Sequence, residues 1–254
     1  MLNMIYSDLH RIIKSRGLIA GVATVAGYNL FFAIILKAVL LFINSDLSAD
    51  DVVTAFSGAA PFVIAATVLY VFIGAFNDGT IRNRLLSGSG RKNVAASMII
   101  TGSMLSGILS IVSTVSALII AVIFTKGFGS MTAADVAEYS LISAMACMAA
   151  GAFCSMLIVI FGGNKAASYS GLALTFIFKL ISTEVADKLY PETGISLLKG
   201  TKLLVYNFYD RYFTYAHFSS MVRHPFSSYV IGNAALIALS LIAGVLIFSK
   251  KEIK

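Results

Sequence analysis

The chain alternates long apolar runs with short polar intervals. Runs long enough for a bilayer-crossing helix, which needs about 20 residues, lie at about 18–43, 58–76, 94–125, 136–162, 166–182 and 229–248. The third run is longer than one crossing requires, so its helix tilts or projects beyond the membrane. The fifth carries the weakest signal. Lys179 lies within it, and only Gly162-Gly163-Asn164-Lys165 separates it from the fourth. The pattern predicts an all-α integral membrane protein with six transmembrane helices in a single transmembrane domain, 1–254.

The polar intervals carry their own patterns. In 1–17, Leu2, Ile5, Leu9, Ile12 and Ile13 recur at helical spacing, with Asp8, Arg11, Lys14 and Ser15 on other faces. This predicts an amphipathic helix lying on the membrane surface before the chain turns inward at Gly17. The interval 183–228 is not an ordinary polar loop. Leu197, Leu198, Leu203, Leu204 and Val205 lead into the aromatic-dense tract 206–218, a composition suited to the membrane interface. One or two short helices that lie on the outer leaflet or dip into it are expected there, with Pro225 marking the break before the last span.

Composition sharpens this picture. Hydrophobic residues make up 58% of the chain and charged residues 12%, against about 45–50% and about 25% in soluble globular domains. So little charge cannot cover a water-facing surface, which excludes a soluble enzyme, a nucleic-acid-binding module and a disordered chain. The net charge of +7 comes from 19 Lys and Arg against 12 Asp and Glu, placed mostly between the apolar runs, where they set orientation. Eleven of the 19 fall in the segments 1–17, 77–93, 163–165 and 249–254. The short loops 44–57 and 126–135 carry Lys126 as their one basic residue, beside Asp46, Asp50, Asp51 and Asp135. Positive residues collect on the inner side, so both termini are predicted to be cytoplasmic. The five basic residues in 183–228 constrain topology less, because that loop is long. The N-terminus does not read as a signal peptide: its apolar run is too long for an h-region and no cleavage site follows.

Signatures of chemistry are scarce. There is no G-x-x-x-x-G-K-[ST], H-E-x-x-H or G-x-S-x-G motif. Gly88-Ser89-Gly90-Arg91-Lys92 has the wrong spacing for a P-loop and follows no strand. His10, His217 and His224 are scattered, and Cys147 and Cys154 stand seven residues apart in one apolar run, with neither disulfide nor zinc spacing. No catalytic, cofactor-binding or metal site is expected. Lys37 and Lys179 lie near the outer ends of their spans, where lysines snorkel to the interface. No Asp or Glu sits in the middle of a span, which argues against a proton- or sodium-driven carrier. Ser103, Ser106, Gly107, Ser110, Ser113, Thr114 and Ser116 give the third span small residues suited to close helix packing.

The most informative interval is 77–93. Asp78 is placed to cap a short helix. Ile81, Leu85 and Leu86 then share a face, with Arg82 and Arg84 projecting elsewhere, and Gly88-Ser89-Gly90 ends the helix. An apolar ridge flanked by arginines suits a groove in a cytoplasmic partner.

With these features the chain resembles the membrane permease subunit of a type-two ABC exporter, a class found in bacterial drug, polysaccharide and antimicrobial-peptide efflux and immunity systems. The resemblance covers nearly the whole chain. It rests on the amphipathic N-terminal helix, the six spans, the loop string Asp78-Gly79-Thr80-Ile81-Arg82-Asn83-Arg84-Leu85 followed by Gly and Arg, the outer segment, and the ending Ile247-Phe248-Ser249-Lys250-Lys251-Glu252-Ile253-Lys254. It implies that Asp78, Gly79, Thr80, Ile81, Arg82, Asn83, Arg84, Leu85 and Leu86 form a coupling helix seated in a separate ATP-binding subunit, with Arg91 leading into the third span. It also implies two copies of that subunit, which bind ATP and Mg, and a second permease, identical or related. The location implied is the bacterial cytoplasmic membrane. The substrate would be a hydrophobic or amphipathic peptide, lipid or drug moved outward. The chain would bind no cofactor or nucleic acid and would not itself be an enzyme.

Two other readings compete. A non-transporting sensor or immunity protein would bind its target in the bilayer without an ATPase. A lipid-modifying membrane enzyme would have to draw on Asp210, His217 and His224 with Arg211 and Arg223.

Overall fold

The structure is a computed structural model that describes residues 2–42, 45–191, 198–219 and 222–250. Among these residues every regular element is helical: α1 (Leu2–Ile13), α2 (Arg16–Phe42), α3 (Ala49–Thr54), α4 (Phe56–Asn77), α5 (Thr80–Leu86), α6 (Arg91–Phe124), α7 (Ala133–Phe161), α8 (Lys165–Leu189), α9 (Thr201–Tyr212), a 3₁₀ turn (Thr214–His217) and α10 (Phe226–Lys250). Six helices are long and apolar enough to cross a membrane: α2, α3–α4 taken together, α6, α7, α8 and α10. Each predicted run falls within one of them, give or take a residue. Residues 251–254 of the basic ending, and Leu197, lie outside the described residues.

The spans are not equivalent. α4 and α7 are mostly buried, whereas α2, α8 and α10 leave most of their surface open. α6 and α7 approach most closely, through small residues. A Cβ added at Gly151 would lie 2.7 Å from the Gly102 carbonyl oxygen and would also strike Ser106, while one at Gly102 would strike Ser155. Ser103, Ser106, Ser110 and Ser113 of α6 are buried. Small residues let helix backbones approach where lipid supplies no hydrophobic drive, and the third span uses them for that purpose.

A buried polar contact joins α2 to α6. Asn29 of α2 is fully buried, and its amide donates to the Ser113 carbonyl at 3.1 Å and to the Ser116 hydroxyl at 2.8 Å, both on α6.

Both lysines within the spans donate to backbone carbonyls. Lys37 donates to the Phe124 carbonyl at the end of α6 at 3.1 Å, and Lys179 donates to the Phe218 carbonyl at 2.6 Å. A helix end leaves carbonyls unsatisfied, and the Lys37 ammonium meets that need at the end of α6.

On the face away from α1, two short loops are stapled together. Ser48 and Asp51 form a capping box at the start of α3, and Thr132 and Asp135 form another at the start of α7. The Asp50 carboxylate accepts from the Ser130 and Met131 backbone N–H groups at 2.6 and 3.1 Å.

Candidate functional site

The predicted coupling segment is helical, but it is built differently from the sequence reading. Asp78 does not cap it. Asp78 is exposed and closes α4, its backbone N–H donating to the Gly74 carbonyl at 2.9 Å. The chain reverses at Gly79, which has φ of +68° and stands at the N-cap of α5. A left-handed residue there costs glycine little, so the turn itself sets the start of the helix. Thr80 opens α5, and Gly88, with φ of +88°, follows its end.

The expected ridge of Ile81, Leu85 and Leu86 is split. Ile81 is buried and Leu85 packs against the same core of the bundle, whereas Leu86 is 75% exposed. Two of the three apolar residues are therefore spent on the chain's own spans. The open face of α5 presents Arg82, Asn83 and Leu86, with Arg91 also exposed at the start of α6.

Arg84 does not face outward. Its guanidinium pairs with the Asp8 carboxylate of α1 at 2.7 Å. Asp8 is fully buried, contrary to its predicted place on a polar face, because the inward side of α1 runs through Met4, Asp8 and Ile12. Leu2 and Ile13, predicted on the apolar side, are exposed. The carboxylate also receives Arg11 at 3.3 Å and the Ser97 hydroxyl of α6 at 2.6 Å. Burial pulls the Arg11 guanidinium below its usual pKa, and neighbouring Asp8 opposes that pull. A buried carboxylate needs paired, hydrogen-bonded partners, and here these come from three separate elements. The surface helix α1, the short helix α5 and the span α6 are thus tied at one atom group.

On the opposite face, the interval 183–228 forms a cap that enters the bundle. α8 runs on to Leu189, past the predicted end at 182, because its last turns are covered by α9. The Ser182 and Tyr209 hydroxyls lie 3.2 Å apart. Tyr215 of the 3₁₀ turn is buried, with its ring 5.2 Å from Phe178 and 6.5 Å from Phe153. The aromatic tract therefore plugs the end of the bundle through Tyr215.

The cap holds the groups weighed for a lipid-modifying enzyme. Asp210 is buried and accepts from the Tyr190 hydroxyl at 3.0 Å, and it lies 2.8 Å from His224 Nε2. Arg223 stands 3.9 Å from the carboxylate and 4.3 Å above the Tyr190 ring. Burial and the Asp210 charge push the Tyr190 phenol up to about 12. Arg211 is separate and donates to Ser228 at 2.8 Å. His217 bridges the Arg211 carbonyl at 3.2 Å and the Asn233 amide at 3.1 Å, and burial lowers it to about 4. The cavity among Asp210, His217, Arg223 and His224 measures about 10 Å³, room for about one water. No lipid headgroup fits it in this conformation. Both thiols, Cys147 and Cys154, are free and buried, and no group of three or more metal-binding side chains gathers among the described residues.

Asp8, Asn29 and the cap's contacts were not identified as structural pivots from the sequence. A lone acid at helical spacing with Ile5 and Ile12 was the available signal for Asp8.

No protein-family model matches the chain, and no curated protein is significantly similar to it. The fold defines a multi-pass, all-α membrane protein.

Proposed function

We propose that the chain is the permease subunit of an ATP-driven exporter of the type-two ABC class, moving a hydrophobic or amphipathic substrate outward. The observation that carries this reading is the clamp of α5 to α1 and α6 through Asp8. A helix of seven residues between two spans transmits a push only if it is fixed to them. The Arg84–Asp8 pair, the Ser97 hydrogen bond and buried Ile81 supply that fixation. The exposed Arg82, Asn83 and Leu86 are left to meet a partner. That partner is a separate ATP-binding subunit in two copies, which supplies ATP and Mg, and a second permease completes the pathway. The face with α1 and α5 is then cytoplasmic in a bacterial cytoplasmic membrane, with both termini on that side.

Purification of the tagged chain from mild detergent tests the reading. Recovery of a P-loop subunit with ATPase activity is expected. Arg82→Glu with Leu86→Asp should keep the chain in the membrane and sever hydrolysis from transport. Leu85 is a poor choice for this test, since it is packed inward. A chain that purifies alone and confers target binding without an ATPase would favour the sensor or immunity reading. A cysteine at 200 should react with an impermeant thiol reagent from outside the cell and one at 90 should not. The reverse pattern would invert the assigned sidedness.

A further inference from the structure

A cavity of about 720 Å³ opens between the α1–α2 elbow, the last two turns of α4 and the first turn of α8. Its rim carries three cations, Arg11, Lys14 and Arg16, against one carboxylate, Asp78. Arg11 is steadied by Asp8, while Lys14 and Arg16 form no ion pair among the described residues. Ser168, in the first turn of α8, adds a hydroxyl to the rim. One wall is apolar, formed by Val71 and Ile73 of α4 with Ile12 of α1. Tyr70, 67% exposed, lines the cavity too. Gly17, next to Arg16, lies against the Tyr70 and Val71 side chains, so the cations and the apolar wall stand side by side.

Cations beside an apolar wall at the ends of the spans are complementary to one class of molecule. We propose that this cavity binds one anionic phospholipid, with its phosphate at Lys14 and Arg16 and its acyl chains along Val71 and Tyr70 of α4. A free phosphate would use the cations and leave the apolar wall without a partner. Basic pockets between spans on the cytoplasmic side are suited to lipid headgroups. The inference rests on the cavity and its charges, and it stands whether or not the chain is an exporter subunit.

Native mass spectrometry of the detergent-solubilised chain tests this, using phosphatidylglycerol and phosphatidylcholine of equal chain length. One phosphatidylglycerol should be retained per chain, far more tightly than phosphatidylcholine. Lys14→Gln combined with Arg16→Gln should weaken phosphatidylglycerol about thirtyfold, the effect of two surface cations. Phosphatidylcholine retention and the helical circular dichroism should not change. Ser168→Trp, which narrows the rim without altering its charge, should weaken it too. Equal retention of the two lipids, or unchanged retention in both variants, would overturn the proposal. Displacement of the lipid by an equal concentration of inorganic phosphate would also overturn it, in favour of a site for the soluble anion.

Discussion

Asp8→Asn is the most revealing single change in this molecule. The substitution keeps the shape of the side chain, so it opens no cavity, and removes only the charge. The carboxylate is fully buried and receives Arg84 at 2.7 Å, Arg11 at 3.3 Å and Ser97 at 2.6 Å. Removing one member of a buried ion pair typically costs about 3–5 kcal/mol, because the other charge stays behind unpaired. Here the cations keep some access to water, with side-chain exposures of 17% for Arg84 and 32% for Arg11. The cost should therefore fall at the low end, about 3 kcal/mol. Unfolding in mixed micelles of increasing SDS content, applied to Asp8→Asn, Arg84→Gln and the double variant, measures it. If the pair acts as a unit, the double variant should be little worse than Asp8→Asn alone, giving a coupling of about 2 kcal/mol. Amides of 80–86 should also exchange faster in each variant, because α5 loses its tie to α1. A coupling below about 0.5 kcal/mol, the level of independent sites, would refute the idea that Asp8 joins these elements.

His217 gives a pH dependence of known sign. Burial lowers it to about 4 from an ordinary 6.5, so the fold prefers the neutral ring. Its stabilisation is complete above 6.5 and is lost as pH falls toward 4, amounting to about 3 kcal/mol at about 1.4 kcal/mol per unit. Asp210 and His224 are the titratable groups that act on it, and their effects oppose one another. Unfolding midpoints between pH 7.5 and 4.5 should slope in the native chain and flatten in His217→Gln; equal slopes would show that another group is responsible. Gly151→Ala should destabilise the bundle by about 1–3 kcal/mol, the usual cost of overpacking, because its Cβ would meet the Gly102 carbonyl oxygen at 2.7 Å. The same micelle titration reads this, and a neutral result would mean that α6 and α7 slide apart freely.

The spans were legible because crossing hydrocarbon imposes one rule on every residue of a run: about 20 apolar positions with the backbone bonded internally. Their ends follow from local chemistry too, as the Ser48–Asp51 and Thr132–Asp135 capping boxes illustrate. The candidate site was only half legible. Its position between α4 and α6 follows from the loop, but the outward face of α5 depends on what the helix packs against. Ile81 and Leu85 turn inward because the bundle offers them a core, and Leu86 does not. Periodicity placed Asp8 on a polar face because it counts neighbours along one helix. Its burial arises from Arg84 and Ser97, 76 and 89 residues further along the chain. The aromatic tract suggested an interface; that Tyr215 reaches Phe153 depends on the cap folding back over α8.

Asn29 sets a condition on how the protein is made. Its amide is emplaced in the first span, yet its partners Ser113 and Ser116 lie 84 and 87 residues later. A ribosome adding about 5–20 residues per second needs about 4–17 s to reach them. Throughout that interval the first span holds an amide that hydrocarbon does not satisfy. The insertion machinery, or water beside it, has to shelter that amide until α6 arrives. The order of synthesis thus leaves α2 waiting, and its final placement belongs to a late step of assembly.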